Sequence, residues 1–103
     1  MSGHFGHMVY FTLKERTAET VSHLIAECKK YLSDHPGTVY FSAGSLADTH
    51  RGVNDRDFDV ALNLIFDSKE SHDAYQVAPR HDEFIAANKD GWAKVRVFDS
   101  EIA

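Results

Sequence analysis

The chain has 103 residues, 43% of them hydrophobic and 26% charged, an ordinary globular composition that excludes a disordered tail, a collagen-like rod and a membrane span. A chain this long buries only about 60 to 70% of its unfolded surface on its own, so a single domain over residues 1–103 is expected, with a partner subunit as a natural source of further burial. Eleven Lys and Arg face 16 Asp and Glu for a net charge of -5, and the positive residues are scattered, which disfavours nucleic acid and anionic membranes as partners. Cys28 is the only cysteine, and the opening MSGHFGHM lacks both a basic and a long apolar region, so a reducing cytoplasm is the expected location.

From Gly6 to Leu13 the sequence GHMVYFTL places His7, Val9, Phe11 and Leu13 on one face of a strand and Met8, Tyr10 and Thr12 on the other. Both faces are largely apolar, so each needs a cover. Thr17 fits a helix N-cap with Glu19 in the first turn, and Val21, Leu24, Ile25, Cys28 and Leu32 follow at helical spacing, which predicts a helix over Ala18 to Ser33. Cys28 on that stripe reads as a small buried hydrophobe. Pro36 and Gly37 close the helix, and a second strand runs from Val39 to Leu46.

Ala47 to Arg56 has no periodicity and reads as an exposed loop, its aspartates lacking the spacing of a cation loop. A third strand over Asp57 to Phe66 sets Val60, Leu62, Leu64 and Phe66 on one face. Ser68 then caps a helix from Lys69 that stops before Pro79, and Pro79 suits the first turn of another helix carrying Phe84, Ile85 and Ala87. Trp92 to Asp99 closes as a fourth strand, with Trp92, Lys94, Arg96 and Phe98 set against Val95 and Val97.

The order is βαββαβ, an α+β ferredoxin-like arrangement with a four-stranded antiparallel sheet and its helices on one face. The other face is bare. Packing it on a second copy gives a two-fold dimer in which two sheets form an α/β barrel, and an Asp at Val9 or Leu62 is expected to break that dimer or unfold the chain.

The segment AYQVAPRHDEF, Ala74 to Phe84, carries the chemistry-bearing residues. On an unbroken helix Tyr75 and His81 would diverge by about 120°; a break at Pro79 removes that obstacle. In the first turn of a new helix His81 meets the positive end of the dipole, which favours a neutral imidazole able to accept a proton. Tyr75, with an ordinary pKa of about 10, stays a hydroxyl donor. The same two rings read equally as core residues with bonded polar tips. His7 has the corresponding plain reading at a strand start, and His4 and His7 face opposite sides and make a poor metal pair. No phosphate-binding glycine loop, GxSxG elbow or HExxH is present.

The opening HMVYFTL, the strand FDVALNLIF with its acidic turn, the AYQVAPRHDEF segment and the closing VRVFD resemble the stress-responsive α/β-barrel domain family, the dimeric α+β barrels, over His7 to Asp99. That family includes a plant polyketide cyclase that closes a linear polyketide by an intramolecular aldol reaction without metal or cofactor. The resemblance implies His81 as base, Tyr75 as its assistant and His7 as a pocket histidine. It implies pocket walls from Val9, Phe11, Leu24, Cys28 and Leu62, continued by Leu64, Phe84, Trp92, Val95 and Val97, and a small hydrophobic or polyketide-like ligand. Ala78 stands where the family usually has a second His, and Ile85 where the cyclase has glycine. Two functions therefore stay open: a cofactor-independent cyclase or related enzyme, and a non-enzymatic dimer that binds a hydrophobic metabolite. A monooxygenase role on the related barrel finds no haem signature in the sequence.

Overall fold

A computed structural model describes residues 3–103. Its elements are β1 (Phe5–Leu13), α1 (Ala18–Leu32), β2 (Thr38–Ser45), β3 (Val60–Phe66), α2 (Lys69–Gln76), α3 (Pro79–Asn88), a single 3-10 turn (Lys89–Gly91) and β4 (Trp92–Glu101). The sheet order is β2-β3-β1-β4, with every neighbouring pair antiparallel. This is the predicted ferredoxin-like sheet, its second helical region divided at Pro79. No described helix is long and apolar enough to cross a membrane.

Helices α1 and α2 begin where a side chain satisfies free backbone amides, and α3 begins on a proline. Thr17 accepts the Thr20 N–H, and the Thr20 hydroxyl accepts the Thr17 N–H in return. Ser68 caps α2 by accepting from the Ser71 N–H at 3.1 Å. Pro79 occupies the first position of α3, where its missing N–H costs nothing. The far end of α1 is held by Arg80, whose guanidinium donates to the carbonyls of Ser33 at 3.1 Å and Lys30 at 2.7 Å. One arginine thus ties the start of α3 to the end of α1.

Central strands β1 and β3 bury Val9, Phe11, Leu62, Leu64 and Phe66 on the helical side. Leu24, Cys28, Leu32 and Phe84 meet them from the helices, closing the core. Val9 and Leu62 therefore face the helices, and a charge there strikes the core without touching the bare face. That face presents Met8, Tyr10, Ile65 and Phe98, interrupted by Asn63, Lys94 and Arg96. It is more polar than the alternation in β1 suggests.

Most element ends fall within one or two residues of the sequence expectation, and three features differ by more. The third strand starts at Val60 and not at Asp57, because Asp59 turns its carboxylate to the Leu13 N–H at 2.9 Å and to Arg16. The end of the preceding loop folds back on the bare face: Phe58 packs edge-on to Tyr10 at 5.0 Å, Asp55 binds Arg96 at 2.7 Å, and Asp57 pairs with Lys94. In β4, a register shift beside Thr12 and Leu13 pairs Leu13 with Trp92 and Thr12 with Lys94. The extra residue moves Trp92 to the helical side with Val95 and Val97. The helices pack on β1, β2 and β3 and leave β4 largely uncovered, so Val95 and Val97 remain 38% and 51% exposed.

Candidate functional site

Where the helices stop short of β4, a cleft of about 200 Å³ opens between that strand, β1 and the α2–α3 corner. Its apolar walls are Val9, Phe11, Leu62, Phe84, Trp92, Val95 and Val97, narrowed by Ile85. Three side chains that the resemblance assigns to these walls lie elsewhere. Cys28 and Leu64 are fully buried in the core, and Leu24 lines a separate cleft beside Leu13 and His23. The α1 stripe packs down on the sheet, so Leu24 and Cys28 fill the core away from this opening, and of the stripe only Leu32, at its far end, borders it.

The polar groups gather at one end. Tyr75 and His81 meet edge-on, ring centroids 4.8 Å apart and planes at 78°. The break at Pro79 makes this contact possible by restarting the helix in a new direction. His7 lies 5.9 Å from Tyr75, centroid to centroid. All three line the same cleft. Among the described residues, neither the Tyr75 hydroxyl nor the His81 ring forms a side-chain hydrogen bond within the chain, so both are free to engage a ligand.

Burial holds the His81 pKa below the ordinary histidine value, opposed by Asp82 and reinforced by the neighbouring imidazoles of His7, His35 and His72. Desolvation is the largest of these causes and acts in the direction expected from the helix terminus. Burial also lowers His7 despite the hydrogen bond to Asp99, and it drives the Tyr75 phenol well above its usual range. Near neutral pH the site holds a neutral imidazole beside a protonated phenol, the state in which one accepts a proton and the other donates a hydrogen bond. The Trp92 indole N–H, buried and without a partner, is a further donor on the same wall.

Four residues not singled out in the sequence belong here. Asp99 stands 2.5 Å from His7 Nδ1, and their strands pair residue for residue, His7 opposite Asp99. The sequence carries this signal only through the register of β1 with β4. His72, one turn before Tyr75, stacks at 4.3 Å from Phe5 and 4.8 Å from His7. Gln76 reaches to 3.4 Å from His7 Nε2. His35 packs edge-on to Tyr75 at 4.9 Å while one ring nitrogen lies 2.7 Å from the Tyr31 carbonyl; its tie to Tyr75 comes only from the fold.

No curated protein matches the chain. Among solved structures, a ferredoxin-like protein of this family from Mesorhizobium loti superposes with a TM-score of 0.81 at 20% identity, covering 99% of both chains. A hydroxynitrile lyase from Passiflora edulis gives 0.79 at 20% identity, over 100% of this chain and 96% of that one. A dimeric ferredoxin-like protein of unknown function from Thermobifida fusca gives 0.79 at 18% identity, over 99% and 93%. At these identities the structures show a shared fold. The sequence model described as the stress responsive A/B barrel domain matches residues 5–102, nearly the whole described chain, and the chain belongs to that family.

Proposed function

We propose that the chain is an enzyme of proton transfer at carbon, acting on a small carbonyl compound without help beyond its own side chains. The observation that carries this is the edge-on contact of Tyr75 with His81 at the polar end of an apolar cleft. His81 takes the proton from a carbon flanked by two carbonyls. Tyr75 donates a hydrogen bond to the oxygen on which the resulting negative charge settles. In a cyclisation the carbanion then attacks a second carbonyl of the same molecule, forming the carbon–carbon bond, and the new alkoxide recovers the proton from His81. His7 and the Trp92 N–H orient the substrate. A hydroxynitrile lyase on the same fold supports reading the cleft as catalytic. The volume of about 200 Å³ is below the roughly 300 Å³ at which drug-sized pockets begin, which points to a short polyketide-like substrate.

The test is turnover of a panel of short linear poly-β-ketone thioesters, followed by absorbance of the cyclised product. Replacing the base with His81→Ala should reduce turnover by about 10²- to 10⁴-fold, the usual worth of a positioned acid–base group, while leaving the assembly unchanged. Equal turnover in the variant would overturn the assignment. Saturable binding of the same compounds without turnover in the wild type would favour the second reading, a non-enzymatic dimer that holds a hydrophobic metabolite.

In either reading the chain works as a homodimer through its bare sheet face. Met8, Tyr10, Ile65 and Phe98 supply the apolar part of that face, and the dimeric Thermobifida fusca relative supports the arrangement. Ile65→Asp should give a monomer by light scattering at micromolar concentration. A monomeric wild type under those conditions would refute the dimer.

A further inference from the structure

The polar end of the cleft holds a group of side chains of which His72 and Asp99 have no part in the His81 and Tyr75 chemistry and His7 only orients the substrate. His7, His72 and Asp99 each offer one ligand atom, and these atoms lie within 4.8 Å of one another. His7 and His72 are 4% and 8% exposed, and Asp99 closes the group from the more open side of β4. We propose that His7, His72 and Asp99 form a binding site for a first-row divalent cation of the zinc class at the polar end of the cleft.

Hydrogen bonding around the three residues supports this. His72 Nδ1 lies 3.1 Å from Asp73 Oδ1 and donates to it, which leaves Nε2 as the free ring nitrogen. That Nε2 is buried and has no partner. An unsatisfied nitrogen in such a place is costly, and a cation would satisfy it. A carboxylate on the far ring nitrogen is also the usual support for a metal-bound histidine.

His7 differs in having a partner at each ring nitrogen: Asp99 Oδ1 lies 2.5 Å from Nδ1 and the Gln76 amide 3.4 Å from Nε2. With the Gln76 oxygen turned inward to accept from Nε2, Nδ1 and the Asp99 carboxylate, hydrogen-bonded to each other through a bridging proton, are both open to a cation that takes the place of that proton.

Two imidazoles and one carboxylate suit zinc, cobalt and nickel better than calcium or magnesium. Ligand atoms of a formed zinc site stand about 3.4 Å apart for bonds near 2.1 Å. The present spacings run from 2.5 Å between His7 Nδ1 and Asp99 Oδ1 to no more than 4.8 Å, on either side of that distance. Three protein ligands leave at least one position for water or for an oxygen of a ligand in the cleft. His7, His72 and Asp99 line the same cleft as Tyr75, so the site extends the proposed function without being required by it.

The experiment is calorimetric titration of untagged, chelator-stripped protein with zinc chloride, together with the visible spectrum after loading with cobalt(II). One equivalent per chain should bind at micromolar or tighter affinity, and the cobalt form should show the intense bands of a low-coordinate site. His72→Phe, which keeps the packing on Phe5, and Asp99→Asn should each weaken zinc binding at least tenfold and remove those bands. His81→Ala and His4→Gln should bind as the wild type does, which separates this site from the catalytic reading and from the other histidines. Uptake only near millimolar zinc, or uptake that persists unchanged in both His72→Phe and Asp99→Asn, would overturn the proposal.

Discussion

Replacing Gly37 with alanine is expected to unsettle the helix that carries His72 and Tyr75. Gly37 sits between α1 and β2 with φ +84°, in the left-handed region where a Cβ costs roughly 1–2 kcal/mol. A Cβ built there would stand 2.2 Å from Ser71 Oγ, 2.4 Å from Ser71 Cβ and 2.8 Å from Asp67 Oδ1. Turning the Ser71 hydroxyl away leaves the second of these contacts in place, so the backbone of the first turn of α2 must move. That overpacking costs about 1–3 kcal/mol. Displacing Ser71 also breaks its hydrogen bond to Asp67 at 2.6 Å and loosens the Ser68 cap, worth about 1 kcal/mol. The sum is about 3–6 kcal/mol, a large share of a typical domain's stability. Urea unfolding at fixed protein concentration measures it. Ser71→Gly removes the two closest atoms and leaves only the end of the Asp67 side chain to turn aside, so adding Gly37→Ala to that background should cost little more than the backbone part, about 1–2 kcal/mol. A Gly37→Ala protein within 1 kcal/mol of wild type, or an equal cost in both backgrounds, would refute the reasoning.

Two further expectations follow from burial. Cys28 is fully buried and its thiol is pushed up to about 12, so it should resist a thiol reagent such as dithionitrobenzoate until the chain unfolds; rapid modification of folded protein at pH 8 would contradict its place in the core. His81 has a lowered pKa in the folded protein, so as pH falls below about 6.5 the unfolded chain takes up the proton first. The stability that His81 contributes is complete above that value and is lost as pH falls toward the folded pKa. In the presence of a chelator, His81→Gln should therefore show a smaller drop in urea midpoint between pH 7.5 and pH 5 than wild type, and an equal drop would show that burial does not hold His81 neutral.

Strand and helix order was legible because period-two and period-3.6 patterns survive wherever one face is buried. Thr17, Ser68 and Pro79 mark the helix starts at the residues where the structure has them. The face of Trp92 was not legible, since a register shift leaves no mark in the local pattern of β4. Nor was the start of the third strand, because Asp59 is drawn off by partners in β1 and the loop beyond it. In the site, the meeting of Tyr75 with His81 could be read from the proline between them. Asp99 and His72 could not, because their relation to His7 depends on the pairing of β1 with β4 and on how α2 lies over β1. Leu64 shares a strand face with the cleft walls but lies beneath the helices, and Leu24 and Cys28 are on the α1 face that covers the sheet, so periodicity does not distinguish a core wall from a cleft wall.

The division at Pro79 also determines how this corner can vary. The rotational phase of α2 is set at Ser68 and that of α3 at Pro79, so each helix carries its own origin. A residue inserted into a continuous helix would swing everything downstream by about 100°. Inserted between Val77 and Ala78, it would change the spacing between the two helices while leaving the angular placement of each side chain on its own helix intact. The cleft can therefore be widened or narrowed by changes in that short joint, with the phenol and imidazole kept on the faces they already occupy.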